Sequence, residues 1–178
     1  MSHDMEKVAY LQEHLPYELL MLRYTLKKIV APQLRLDWNV YFESFAVHAR
    51  NLYDFLTNSE DSRNFKAKDF VAYFSISKED KVISMFTRLH SQVFHLPKNR
   101  PTDQAKKANA DRAKLVSRWI ETNFATFISG LGADYGSKWH GEDADPSKII
   151  HDGVMMLHCQ TASTATNFIM ITTTGDYG

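Results

Sequence analysis

The 178-residue chain has a single cysteine, Cys159, which excludes an internal disulfide and any zinc site built from several thiolates. A lone thiol fits a reducing compartment, and the cytoplasm is the expected setting. Long apolar runs are also missing: no stretch approaches the ~18 consecutive apolar residues that span a bilayer. The opening MSHDMEKVAYLQEHLPYELL carries charge through its first turns and lacks the unbroken apolar region of a secretory leader. Neither secretion nor membrane spanning is expected. Proline and glycine are scarce, five and seven residues, and no glycine precedes Gly130. Net charge is absent, because 21 basic side chains balance 21 acidic ones. What remains is 44% apolar and 24% charged. That is ample for a core, since unstapled domains fail only below ~40 residues, and it excludes both global disorder and a disulfide scaffold.

Apolar residues recur at helical spacing through most of the chain. Val8, Leu11 and Leu15 predict a short helix over Met5–Leu15, punctuated by Pro16. A second helix is predicted from Pro16 or Tyr17 to Val30, burying Leu19, Leu22, Leu26 and Ile29 or Val30, and Pro32 closes it. Trp38, Phe42, Phe45, Ala49, Leu52 and Leu56 repeat at four and three with no Gly or Pro between them, which predicts a core helix from about Leu36 to Leu56. Residues 57–68 read as a loop, followed by a short helix over Asp69–Phe74. Val82, Met85, Phe86, Leu89, Val93 and Leu96 predict a long helix that Ser77 caps and Pro97 ends. A last helix, capped by Thr102 or Asp103, is predicted to run to a left-handed glycine at Gly130 or Gly132. The expectation is an all-α bundle of five to six helices over residues 1–132. Residues 133–178, rich first in Gly and Asp and then in Thr, are expected to form an irregular or partly extended tail that packs on the bundle or extends from it.

The zero charge conceals a polarity. Residues 1–87 sum to −1, residues 88–118 to +6 and residues 119–178 to −5. Screening acts over ~8 Å, so a ligand feels the nearby patch and not the molecular total. The basic segment suits a polyanion; equally, Lys106, Lys107, Arg112, Lys114 and Arg118 form the solvated face of an ordinary helix paired with the acidic end.

Within that segment, RLHSQVFHLPKNRP concentrates the residues capable of chemistry. Arg88 and His95 are seven apart, within ~20° on one helix face, and Gln92 lies between them. Lys98 and Arg100 follow on the exit loop. A guanidinium can hold a phosphate by two parallel hydrogen bonds, and an imidazole can exchange a proton with a ribose hydroxyl or leaving oxygen near neutral pH. These are the minimum groups for metal-independent RNA cleavage by 2′-hydroxyl attack. The competing reading is structural, with His95 meeting free carbonyls in a last helical turn and Arg88 pairing with a carboxylate.

An arginine and a histidine with six residues between them, at the end of a long helix, resemble the R-x4-6-H motif of HEPN domains. ESFAVHARNLYDFL, Glu43–Leu56, is similar to an early core helix of bacterial proteins of that kind, and the likeness spans about residues 16–130. The resemblance implies a small all-α protein of bacterial toxin, defence-nuclease or nucleotide-binding type. It implies Arg88 and His95 as catalytic residues, RNA or a nucleotide as ligand, and a homodimer whose two motifs face one cleft. The family position after the arginine is commonly polar, whereas here it is Leu89.

The third predicted helix offers a second set. Glu43, Arg50 and Asp54 share a face opposite the Trp38–Leu56 stripe, with Ser44, His48 and Asn51 in the adjacent row. Arg50 and Asn51 would contact phosphate or base edges if this face lines the same cleft; otherwise it is a salt-bridged surface. Glu43 and His48 lack the Glu-x-x-His spacing of di-iron bundles, and His140, His151, His158 and Cys159 lack the paired spacings of zinc sites, so no metal and no cofactor are expected. No phosphate-binding loop, nucleophile elbow or kinase signature occurs. The leading expectation is an RNA-binding or metal-independent endoribonuclease-type protein. The rival is a non-catalytic helical interaction or regulatory module, and a helical small-molecule enzyme using the His48–Asp54 face stands third.

Overall fold

The computed structural model describes residues 3–58, 64–76, 80–93 and 109–149, and these form an all-α fold with no strand among them. Helix α1 spans His3–Ala9, α2 Leu15–Val30, α3 Arg35–Leu56, α4 Asp80–Val93 and α5 Ala110–Gly130. Three single turns follow: α6 at Ala133–Gly136, a 3₁₀ turn at Gly141–Ala144 and α7 at Pro146–Ile149. Helix α2 lies against α3 and α5, α3 also against α4 and α5, and α4 against α5.

Pro16 does not separate two helices as expected. Residues Tyr10–His14 form a π turn that joins α1 to α2, with the Leu15 N–H bonded to the Tyr10 carbonyl five residues back. Proline lacks an N–H, and its ring crowds the carbonyl four residues earlier; widening the helix just before Pro16 accommodates both defects. One helical path therefore buries Leu11, Leu15, Leu19, Leu22 and Ile29 together, while Val30 turns outward.

Helix α3 carries the core through Phe42, Phe45, Ala49, Leu52, Phe55 and Leu56. It starts after extended Leu34 and ends at Thr57, and Asn58 then takes a left-handed φ of 53°. The Asn58 side chain serves the following loop, donating to the Phe74 carbonyl at 3.2 Å and accepting from the Lys68 N–H at 3.0 Å. The helix predicted over Asp69–Phe74 is instead a 3₁₀ turn at Ala67–Asp69 and a series of bends. The Asp69 carboxylate draws the Lys66 N–H to 2.7 Å, and Tyr73 at φ 62° leaves the helical region. Phe70 and Phe74 drop from this loop onto Phe127 of α5, both edge-to-face.

Helix α5 begins at Ala110, six or seven residues later than a cap at Thr102 or Asp103 implies, and those two residues lie outside the described residues. Asn109 is extended and its side chain accepts from the Arg112 N–H at 3.0 Å, an N-terminal cap that stops any helix from running through it. The far end also differs from expectation. Neither glycine is left-handed: Leu131 and Gly132 continue in extended conformation, and Gly130 matters because a Cβ there would stand 3.0 Å from Val71. Up to Ile149 the expected irregular tail holds single helical turns, of which Gly141–Ala144 and α7 pack on α2, with Ala144 fully buried and Trp139 set 5.4 Å from Phe124. Residues 150–178, with His151, His158 and Cys159, lie outside the described residues.

Candidate functional site

The site residues expected from sequence fall on α4 and α3. On α4, Val82, Phe86 and Leu89 are buried and form the inward stripe. Arg88 is exposed. Successive helical residues turn by ~100°, so burying Leu89 carries Arg88 away from the core edge. Leu89 itself is packed in the core, only 5% exposed. Gln92 lies within α4, whose described span ends at Val93; His95, Lys98 and Arg100 lie outside the described residues, as does the predicted end of this helix near Leu96.

Between α3 and α4 runs a cleft of about 280 Å³ lined by Ala46, Arg50, Tyr53, Asp54, Ile83, Phe86, Thr87 and Leu89. Its wall is aromatic. Tyr53 and Phe86 have centroids 4.0 Å apart, and Trp119 of α5 stands behind them at 5.5 and 6.1 Å. Burial, and secondarily the Asp54 carboxylate, raise the Tyr53 pKa, so its phenol stays protonated. Arg50 meets Asp54 at 3.5 Å one turn along the same helix. Arg88 is not among the residues lining this cleft.

Asn51 faces elsewhere. Its Nδ2 donates to Glu18 Oε1 at 3.1 Å, and Oε2 of the same carboxylate lies 2.8 Å from His48 Nδ1. The carboxylate only accepts, so Nδ1 carries the hydrogen toward it. The Tyr17 ring meets the imidazole edge-on at 5.5 Å, and Tyr17 is itself held protonated by burial and by Glu18. His48 is buried in this network, which joins α2 to α3. Glu18 was not foreseen from sequence. It lies 30 residues from His48 and 33 from Asn51, and only the pairing of the two helices brings them together.

The structure therefore separates the expected set. Arg50 stands at the α3–α4 cleft, Asn51 in the α2–α3 network and Arg88 on the outer side of α4. Among the described residues no group of three or more His, Cys, Asp or Glu side chains could hold a metal ion. None of the described helices is long and apolar enough to cross a membrane. Comparison with models of protein families, with curated proteins and with solved structures finds no match to this chain.

Proposed function

We propose that the chain is a HEPN-like, RNA-binding protein of the cytoplasm with metal-independent endoribonuclease chemistry, of the kind found in bacterial toxin–antitoxin or defence systems. The observation that carries this reading is the exposed placement of Arg88 on α4, inside the +6 segment, while Leu89 anchors the same turn in the core. Arg88 steadies a phosphate by charge-assisted hydrogen bonds, and His95 moves the proton between the 2′-hydroxyl and the leaving oxygen. Gln92, Lys98 and Arg100 guide the strand. Lys114 and Arg118, exposed on α5, belong to the same +6 segment. Asn51 holds Glu18 in this reading and leaves RNA to the basic segment. The homodimer belongs to the same proposal. Incubating the full chain with RNA in EDTA tests it: cleavage by the wild type and loss of cleavage in His95→Ala and Arg88→Ala are expected, and equal cleavage by wild type and His95→Ala sinks the assignment.

One observation favours a second reading, a helical interaction module without catalysis. Leu34, Leu36 and Val40 stand outward where α3 begins, 74, 73 and 57% exposed. RNA bound with a steep salt dependence speaks for the first reading, and its absence for the second.

A further inference from the structure

The hairpin of α2 and α3 ends on an apolar corner. Val30, Leu34, Leu36 and Val40 are 46, 74, 73 and 57% exposed there, and Ala31 and Pro32 between the helices are exposed too. Scattered exposed apolar residues are ordinary; gathered at one turn, they form a patch of the kind that marks an interaction site. The corner is held in shape. The Ala31 N–H and Gln33 Nε2 both donate to the Lys28 carbonyl, at 3.1 and 2.8 Å, and the Trp38 N–H donates to the Leu34 carbonyl at 3.0 Å.

The charge around the corner is of one sign. From Tyr24 to Leu36 the chain has three basic side chains, Lys27, Lys28 and Arg35, and no acidic one. Lys27 and Arg35 are exposed, and the Lys28 ammonium lies over the rings of Tyr24 and Tyr41 at 5.3 and 5.9 Å. Those tyrosines meet edge-to-face at 6.3 Å, Trp38 stacks on Phe42 at 4.8 Å, and Tyr24, Trp38 and Tyr41 are each half-buried. Asp37 adds one carboxylate, in the first turn of α3, where the helix dipole favours it. The next acidic side chains on these two helices, Glu43 and Glu18, stand ~12 and ~18 Å farther from the corner along the helix axes.

We infer that this corner docks on the surface of an anionic phospholipid bilayer. Val30, Leu34 and Leu36 enter the boundary of the acyl chains, Tyr24, Trp38 and Tyr41 form a collar at the interface, and Lys27, Lys28 and Arg35 meet the headgroups. A contact of this kind needs no spanning helix. Interfacial elements sink by ~5–10 Å, and the corner stands ~9 Å beyond Tyr24 on α2 and Tyr41 on α3. Charge and shape together choose the partner. RNA would meet the cations but leave the leucines in water. A stable protein contact takes about 20–30 residues a side, whereas this patch is a few side chains on a convex corner. The outward leucines are those of the interaction-module reading, on which the inference rests for its surface and whose partner it names; it stands whether or not the basic segment binds RNA.

Co-sedimentation of the full chain with lipid vesicles tests it. Binding to equimolar phosphatidylglycerol and phosphatidylcholine is expected, with far less to phosphatidylcholine alone, and added salt should weaken it. Lys27→Gln combined with Arg35→Gln should weaken binding by ~30-fold. Leu34→Ser combined with Leu36→Ser should weaken it at least as much, with the helical circular dichroism unchanged because both positions face solvent. Leu34→Trp should bind more tightly, an effect that a damaged fold would not produce. A chain that ignores both kinds of vesicle overturns the inference and leaves the patch to a protein partner. Binding that survives the double serine variant overturns the placement at this corner, and equal binding to neutral and anionic vesicles overturns the role of the three cations. Vesicle binding should survive Arg88→Ala, and RNA binding should survive the double serine variant, so either proposal can fail without the other.

Discussion

Arg23 on α2 grips Glu121 on α5 through two parallel hydrogen bonds, Nε to Oε1 and Nη2 to Oε2, both 2.7 Å long. Its remaining nitrogen, Nη1, donates to the Ala144 carbonyl at 2.9 Å. One planar guanidinium thus ties two bundle helices to the turns that follow α5, segments 98 and 121 residues away in the chain. The Glu121 hydrogen bonds raise the Arg23 pKa further than its partial burial lowers it, so the guanidinium stays charged at every pH the fold meets.

Replacing Arg23 with Met should therefore cost about 1–2 kcal/mol, a modest figure because both side chains are a third exposed and solvent shares the interaction. The loss should be local before it is global. Amide hydrogen exchange over residues 141–149 should accelerate well beyond that of α2 and α5, and unchanged exchange in that segment would show that Ala144 is held by burial alone.

The helices were legible because their burial follows a period: the Trp38–Leu56 and Val82–Leu89 stripes face the core almost residue for residue. Their junctions were not. Pro16 reads as a break, yet a π turn absorbs it, and a pattern of apolar spacing does not distinguish five-residue from four-residue hydrogen bonding over a single turn. Asn109 stops a helix that periodicity alone would extend, because its cap is one side-chain bond to Arg112. The site was less legible still. Arg88 and Leu89 could be assigned to different faces of α4 from spacing, but Glu18 has no local signal, since its partners arrive only when α2 pairs with α3.

The Glu18–His48 contact should behave as a coupled unit. In a double-mutant cycle with Glu18→Gln and His48→Ala, the two losses of stability should be non-additive by ~1 kcal/mol, because either change alone strands the other partner in a partly buried site. Chemical denaturation of the four proteins measures this. Simple additivity would mean that the 2.8 Å contact contributes nothing beyond packing.

Leu89→Asn introduces the polar residue that HEPN motifs commonly carry after the arginine. In this chain it should damage the fold rather than improve the chemistry. Leu89 belongs to the core with Val82 and Phe86, and exchanging it for an amide leaves both a packing defect and unpaired polar atoms at a cost of about 2–4 kcal/mol. A thermal melt within a degree or two of wild type would contradict the packing account of this position.

Tyr10, in the π turn, should make the fold sensitive to alkali. Its ring lies 5.4 Å from Phe65, edge-on, and is stacked 6.1 Å from Phe70. Burial first, and the Glu18 carboxylate second, push its pKa up from 10.0 to about 12. In the unfolded chain the phenol ionises near its ordinary value, so above that point the unfolded state loses a proton that the folded state keeps. Stability from the neutral phenol is therefore fully present below about pH 10 and is lost as the pH climbs through about 12, by roughly 2 kcal/mol in all. Tyr10→Phe keeps the ring and removes the titration. Urea unfolding at about pH 9 and about pH 11 should show the wild type losing stability between them and Tyr10→Phe losing clearly less; equal losses would place the alkaline sensitivity on other groups.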